Sequence, residues 1–173
     1  ALLMHDLLER CRDPHEKLWL LNHYLDMFKG TLFRQTMFAE FEQKAHEMAA
    51  AGESMTSQSL CNIYKKLNED YFGPDTVIDP EIQYEWERIP HFYTPFYVYQ
   101  YATGFSAAIA ISRKIFNGEP GILEGYKKFL SGGCSDTPIE LLKLAGVDMS
   151  HTGPVEEALK FFEELLNEFE ELA

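Results

Sequence analysis

At 173 residues and 20.0 kDa the chain has the length of one domain and enough of it to bury a core, and its 46% apolar and 25% charged composition is that of an ordinary globular protein. A formal net charge of −13 repels phosphate backbones, so nucleic acid is not an expected partner. No apolar run approaches the roughly 18–20 residues of a membrane span, so a membrane is not expected as a partner either.

In chain order the apolar periodicity is helical almost throughout. The chain opens at Ala1-Leu2-Leu3-Met4, already inside an amphipathic pattern and without an N-cap or an initiator Met, which predicts a piece of a longer polypeptide. Asp13-Pro14-His15-Glu16 supplies an N-cap, a first-turn proline and a capping-box acid for a helix whose stripe is Leu18, Leu20, Leu21, Tyr24, Leu25 and Phe28. Gly30 is expected to end it. Thr31 to Ala51 reads as a second helix with Phe33, Met37, Phe38, Phe41 and Ala45 inward, and Leu60 to Tyr71 as a third. The segment from Gly73 to Pro80 is irregular. A short helix is predicted over Glu81 to Arg88 and a long one from about Thr94 to Phe116, with shorter ones after Pro120 and Pro138. Pro154 opens a last helix with Val155, Leu159, Phe162, Leu165, Leu166 and Phe169 on one side. Strand signals are nearly missing, so the expected fold is all-α: one multi-helix domain over residues 1–173.

The aromatic residues are unevenly spread. Of 13 Phe, 9 Tyr and 2 Trp, eight lie between Tyr84 and Tyr101. Leu or Ala fills a helical stripe more readily than Tyr, whose hydroxyl needs a partner when buried. His91 opens the row, and Tyr93, Tyr97 and Tyr101 follow at i, i+4 spacing, on one face if the segment is a helix. Several aimed hydroxyls beside an imidazole suit the gripping of polar backbone better than plain packing; the competing reading packs Phe96 and Val98 inward and leaves the tyrosines half-exposed.

Other chemistry is hard to find. His15-Glu16 and His46-Glu47 begin H-E pairs, but Trp19 and Ala50 stand where H-E-x-x-H needs a second histidine. No E-x-x-H occurs, so neither a di-iron bundle nor a complete metal site is expected. Ser131-Gly132-Gly133-Cys134 lacks the lysine of a phosphate-binding loop, and no neighbour in sequence would activate Cys134 as a nucleophile. His5, His15, His23 and His46 read as structural. Cys11, Cys61 and Cys134 form no C-x-x-C pair and read as free thiols of a reducing compartment, the cytoplasm.

Three blocks carry a resemblance. Thr31-Leu32-Phe33-Arg34-Gln35-Thr36-Met37-Phe38-Ala39-Glu40-Phe41-Glu42 resembles a signature of the oligoendopeptidase F family, bacterial zinc peptidases of the thimet-oligopeptidase group. Ile89-Pro90-His91-Phe92-Tyr93 with Phe96-Tyr97-Val98-Tyr99-Gln100-Tyr101-Ala102-Thr103-Gly104, and Gly132-Gly133 with Pro138-Ile139-Glu140-Leu141-Leu142 and Gly146-Val147-Asp148-Met149, are similar to the same family. The resemblance implies the C-terminal piece of a zinc metalloendopeptidase of short peptides. The H-E-x-x-H helix and the third zinc ligand would lie ahead of Ala1, so zinc belongs to the parent enzyme and none to this chain. It implies that His91 binds substrate backbone and that Tyr97 or Tyr93 stabilises the tetrahedral intermediate, with Tyr99 and Tyr101 also lining the substrate. The implied mechanism is water attack on a peptide carbonyl polarised by zinc, a glutamate taking the proton. The implied partners are an oligopeptide and the N-terminal part of the same peptidase, and the chain alone is expected to be inactive. The alternative is a free-standing, non-enzymatic helical protein that binds peptide in the same Tyr/His groove.

Overall fold

The computed structural model describes residues 1–173, and the fold is all-α with no strand. Eight α-helices follow one another: α1 (Leu2–Arg10), α2 (Pro14–Phe28), α3 (Arg34–Ala50), α4 (Ser57–Phe72), α5 (Tyr99–Phe116), α6 (Ile122–Gly132), α7 (Pro138–Leu144) and α8 (Gly153–Leu172). A π-helical turn (Lys29–Phe33) and two 3-10 segments (Pro80–Arg88 and Pro90–Tyr93) complete the regular structure. No helix is long and apolar enough to cross a membrane. The chain divides into two compact units, residues 1–32 with 103–173, and residues 33–102.

The caps are where the sequence puts them. Asp13 accepts the Glu16 N–H at 3.0 Å, and Thr137 accepts that of Glu140 at 3.4 Å, each ahead of a first-turn proline. Helix α4 starts three residues earlier than its apolar pattern suggests, because Thr56 and Ser59 cap each other reciprocally at 3.0 and 3.1 Å.

Three expectations are corrected. Gly30 does not stop the helical run; residues 29–33 form a π-helical turn and α3 follows directly. A glycine is an inexpensive place to widen a helix, and buried Phe28 and Leu32 on either side hold the turn. The stripe of α8 is rotated: Ala158, Phe161 and Leu165 are buried, while Leu159 and Leu166 are 40% and 36% exposed. Its apolar residues cover too wide an arc for periodicity to fix the phase, and small Ala158 is fully buried. The third correction is the start of α5 at Tyr99 rather than Thr94. Thr94 is extended ahead of Pro95, and Phe96 has φ 57°, so neither can continue a helix.

In the first unit, Leu20, Leu21, Tyr24 and Phe28 of α2 meet Phe161 and Leu165 of α8. Arg113 lies over the Phe161 ring at 4.7 Å and holds Glu164 through its two terminal guanidinium nitrogens at 2.6 and 3.3 Å. A second cluster joins Ala107, Ala110 and Ile111 of α5 to Ala145 and Val147 beyond α7. Gly125 of α6 is needed there, since a Cβ would come within 2.1 Å of the Leu144 carbonyl oxygen.

The second unit is built on α3 and α4, with Met37, Phe38, Phe41, Leu60, Tyr64 and Leu67 in contact with Ile89 and Val98. Buried Glu85 ties the first 3-10 segment to both helices: it pairs with Arg34 and Arg88 and accepts the Tyr64 hydroxyl at 2.7 Å. Burial and this bond to a carboxylate push the Tyr64 phenol well above its ordinary range.

Tyr24 and Tyr64 are both fully buried, yet the Tyr24 hydroxyl has no partner. The same substitution should therefore act with opposite sign. Tyr24→Phe is expected to raise stability by about 1 kcal/mol by removing an unsatisfied hydroxyl, and Tyr64→Phe to lower it by about 1–3 kcal/mol. Urea denaturation of the two variants checks this, and equal shifts in one direction would contradict it.

Candidate functional site

The site sits where 3-10 segment, loop and helix meet. Pro90 fixes the first turn of the Pro90–Tyr93 segment, and the Thr94 N–H closes it on the His91 carbonyl at 3.0 Å. Phe92 points inward, its ring 5.8 Å from Phe38 and 5.3 Å from Phe41. With Phe92 anchored, its neighbours His91 and Tyr93 face solvent. Val98 is fully buried and anchors the other end, and the Tyr101 N–H on its carbonyl at 3.2 Å begins α5.

Between these anchors runs the one non-glycine residue of positive φ, Phe96. Holding a bulky residue in the left-handed region costs on the order of 1–3 kcal/mol, so something must hold it. Its N–H donates to the Glu42 carboxylate at 2.7 Å, and its ring lies 4.6 Å from that of His46.

The result is a cluster of three side chains. The rings of His91 and Tyr97 stack at 5.6 Å and 12°, and Tyr101 stands edge-on to both, 5.7 and 5.5 Å away. The Tyr101 hydroxyl is 3.2 Å from His91 Nε2 and donates to the Tyr97 hydroxyl at 3.3 Å. That direction assigns His91 Nε2–H as donor to Tyr101, and it leaves the Tyr97 proton to point outward. Donation to Tyr97, with some desolvation, holds the Tyr101 phenol above its ordinary 10.0.

Of the five residues singled out from sequence, the structure brings together His91, Tyr97 and Tyr101. Tyr93 stands apart and is 85% exposed. The shared helical face of Tyr93, Tyr97 and Tyr101 does not exist, because α5 begins only at Tyr99; Tyr97 reaches the cluster through the Phe96 turn instead. Tyr99 is half-exposed, about 200° around α5 from Tyr101. Glu42 was not singled out. Its signal was a carboxylate next to Phe41 on the apolar stripe of α3, where it is only 5% exposed.

The chain brings together no group of three or more His, Cys, Asp or Glu side chains that could hold a metal ion by itself. A cavity of about 880 Å³ in the first unit is lined by apolar groups including Leu2, Ala107, Ile111, Phe129 and Leu141, with Cys134 beside them. Tyr126 and Asp136 also line it, but it has no imidazole.

The three-ring relay predicts a titration. In Tyr97→Phe the hydroxyl that Tyr101 donates to is gone, so the Tyr101 phenol should titrate closer to its ordinary 10.0 than in the unsubstituted protein. The Tyr101 Cζ chemical shift followed against pH reads this, and an unchanged midpoint would contradict the relay.

The protein-family model described as "Peptidase family M3" matches residues 1–161. Oligopeptidase PepF of Bacillus subtilis is 53% identical over 173 residues, covering 99% of this chain and 26% of the relative's length. Oligoendopeptidase F (chromosomal) of Lactococcus lactis subsp. cremoris is 49% identical over 171 residues, covering 99% of this chain and 28% of its own. The crystal structure of oligoendopeptidase-F from Enterococcus faecium superposes with a TM-score of 0.95 at 53% identity, over 98% of this chain and 33% of that one. The chain thus spans roughly a quarter to a third of the length of the proteins it matches. With the family model matched over nearly all of it, the chain belongs to peptidase family M3.

Proposed function

We propose that this chain is part of a longer metalloendopeptidase of short peptides and supplies the wall of its cleft that holds the substrate backbone and the oxyanion. The observation that carries this reading is the relay His91–Tyr101–Tyr97, which leaves one phenol proton directed outward. The family membership and the similarity to oligoendopeptidase F support the reaction class.

Peptide hydrolysis adds a water oxygen to the carbonyl carbon, and the former carbonyl oxygen carries negative charge until the C–N bond breaks and the amine leaves with a proton. Tyr97 is assigned to donate its hydroxyl proton in a hydrogen bond to that oxygen. The bond strengthens as charge develops, which is the condition for lowering a barrier and not merely tightening binding. Tyr101 polarises Tyr97 by donating to it, and His91 orients Tyr101 through Nε2. The other ring nitrogen of exposed His91, Nδ1, is left to accept from a peptide N–H. Tyr93 and Tyr99 flank the relay and are assigned to the rest of the peptide.

Zinc, in this reading, is held by residues outside this chain, a reading supported by the lack of a group of three ligating side chains within it. The remainder of the same polypeptide is then the partner that completes the enzyme, and the chain by itself is inactive. The three free thiols, Cys11, Cys61 and Cys134, suit a reducing compartment, which we take to be the cytoplasm.

The test is Tyr97→Phe in the polypeptide that carries this chain, assayed on a short peptide. Removal of one oxyanion donor is expected to lower kcat by about 10²–10³-fold while KM changes little. A rise in KM at constant kcat would make Tyr97 a binding residue, and unchanged kinetics would remove it from the site.

A further inference from the structure

Tyr97 reaches Tyr101 by way of a turn at Pro95 and Phe96. Pro95 favours such a turn at its first central position and keeps Thr94 extended. Phe is nevertheless a poor choice for the second central position, where positive φ makes glycine or asparagine usual. The strain at Phe96 therefore calls for support from outside the loop, which α3 supplies.

Two residues of α3, four apart and so on one face, meet Phe96. Glu42 takes its N–H at 2.7 Å, and His46 lies against its ring at 4.6 Å and 33°. Glu42 occupies a position on the buried stripe among Phe38, Phe41 and Ala45, where a leucine would pack without desolvating a charge. A buried carboxylate spent on one backbone amide of an exposed loop is hard to explain by packing. It is explained if the amide must be held in one orientation, because a charge-assisted bond is short and directional.

We propose that Glu42 is a positioning residue for Tyr97: it clamps the Phe96 amide in the left-handed turn that aims Tyr97 at His91 and Tyr101, with His46 steadying the Phe96 ring. The role of Tyr97 in catalysis rests on the function proposed above; the clamp itself does not. Glu42 bonds to the Phe96 backbone and not to a side chain of the relay, so it acts through the backbone.

The experiment uses the polypeptide that carries this chain, with Glu42→Ala, Glu42→Gln, Phe96→Asn and the double variant Glu42→Ala/Phe96→Asn. Glu42→Ala is expected to lower kcat on the order of 10–100-fold with little change in KM, as misplacement of a catalytic group does. Glu42→Gln keeps an amide oxygen as acceptor and should retain most of the activity. Phe96→Asn tolerates positive φ without the clamp, so it should recover much of the loss in the Glu42→Ala background. A merely structural role predicts no such recovery, with activity falling only as far as the folded fraction falls.

A second readout is independent of turnover. In the unsubstituted protein the Phe96 amide proton should exchange slowly and the Tyr97 ring should show a nuclear Overhauser contact to the His91 ring; both should vanish in Glu42→Ala and the contact should persist in Glu42→Gln. Persistence of the Tyr97–His91 contact in folded Glu42→Ala would overturn the clamp. Should Tyr97→Phe prove kinetically silent, the catalytic reading fails, and the Overhauser contact alone then decides for or against Glu42.

Discussion

A segment of short 3-10 turns and loop, whose hydrogen bonds are poorer than those of an α-helix, holds side chains in a fixed geometry best where it is fastened to longer helices. Residues 80–98 are such a segment, two short 3-10 pieces and a loop. Three fastenings make up the deficit. The Glu85 carboxylate binds Arg34, Arg88 and Tyr64, the Phe92 ring enters the Phe38–Phe41 cluster, and Glu42 takes the Phe96 amide. Each uses a residue of α3 or α4, so the exposed relay inherits its rigidity from two ordinary amphipathic helices. Glu85 is the most multiply bonded of the three, with two arginines and a phenol on one buried carboxylate.

The arrangement separates two tasks that a single residue type could confuse. Buried Tyr64 uses its hydroxyl to secure the scaffold, while exposed Tyr97 and Tyr101 bond to each other at the surface. Around the relay, Tyr93 and Tyr99 extend the polar aromatic surface to either side. Aromatic hydroxyls suit this position because they offer area and a directional donor with few rotatable bonds to immobilise.

Much of this was legible in the sequence. Capping residues gave helix starts at Asp13 and Thr137, and the absence of alternating apolar residues gave the all-α class. The aromatic row drew attention to His91, Tyr97 and Tyr101, and three blocks pointed to the family that the chain proves to match. What spacing missed was the way in which the row is presented. Thr94-Pro95 warned against a helix start, yet the i, i+4 interval from Tyr93 to Tyr101 mimicked one; the true device is a left-handed residue, which no pattern of side chains at Phe96 announces. Gly30 misled for the converse reason, since a glycine that can end a helix can also widen it. In α8 adjacent Phe161 and Phe162 made two phases equally apolar, and only packing against α2 chose between them.

The central claim is that Tyr97, turned by Phe96 and polarised by Tyr101, meets the oxyanion of a peptide under attack. Its most direct test is a crystal structure of the polypeptide that carries this chain with a phosphinic peptide bound, whose tetrahedral oxygen stands in for that oxyanion. The account predicts the Tyr97 hydroxyl at about 2.7–3.1 Å from that oxygen, with Tyr101 still bonded between Tyr97 and His91. A phosphinate oxygen bound by other groups, with Tyr97 turned toward a substrate side chain or solvent, would contradict it.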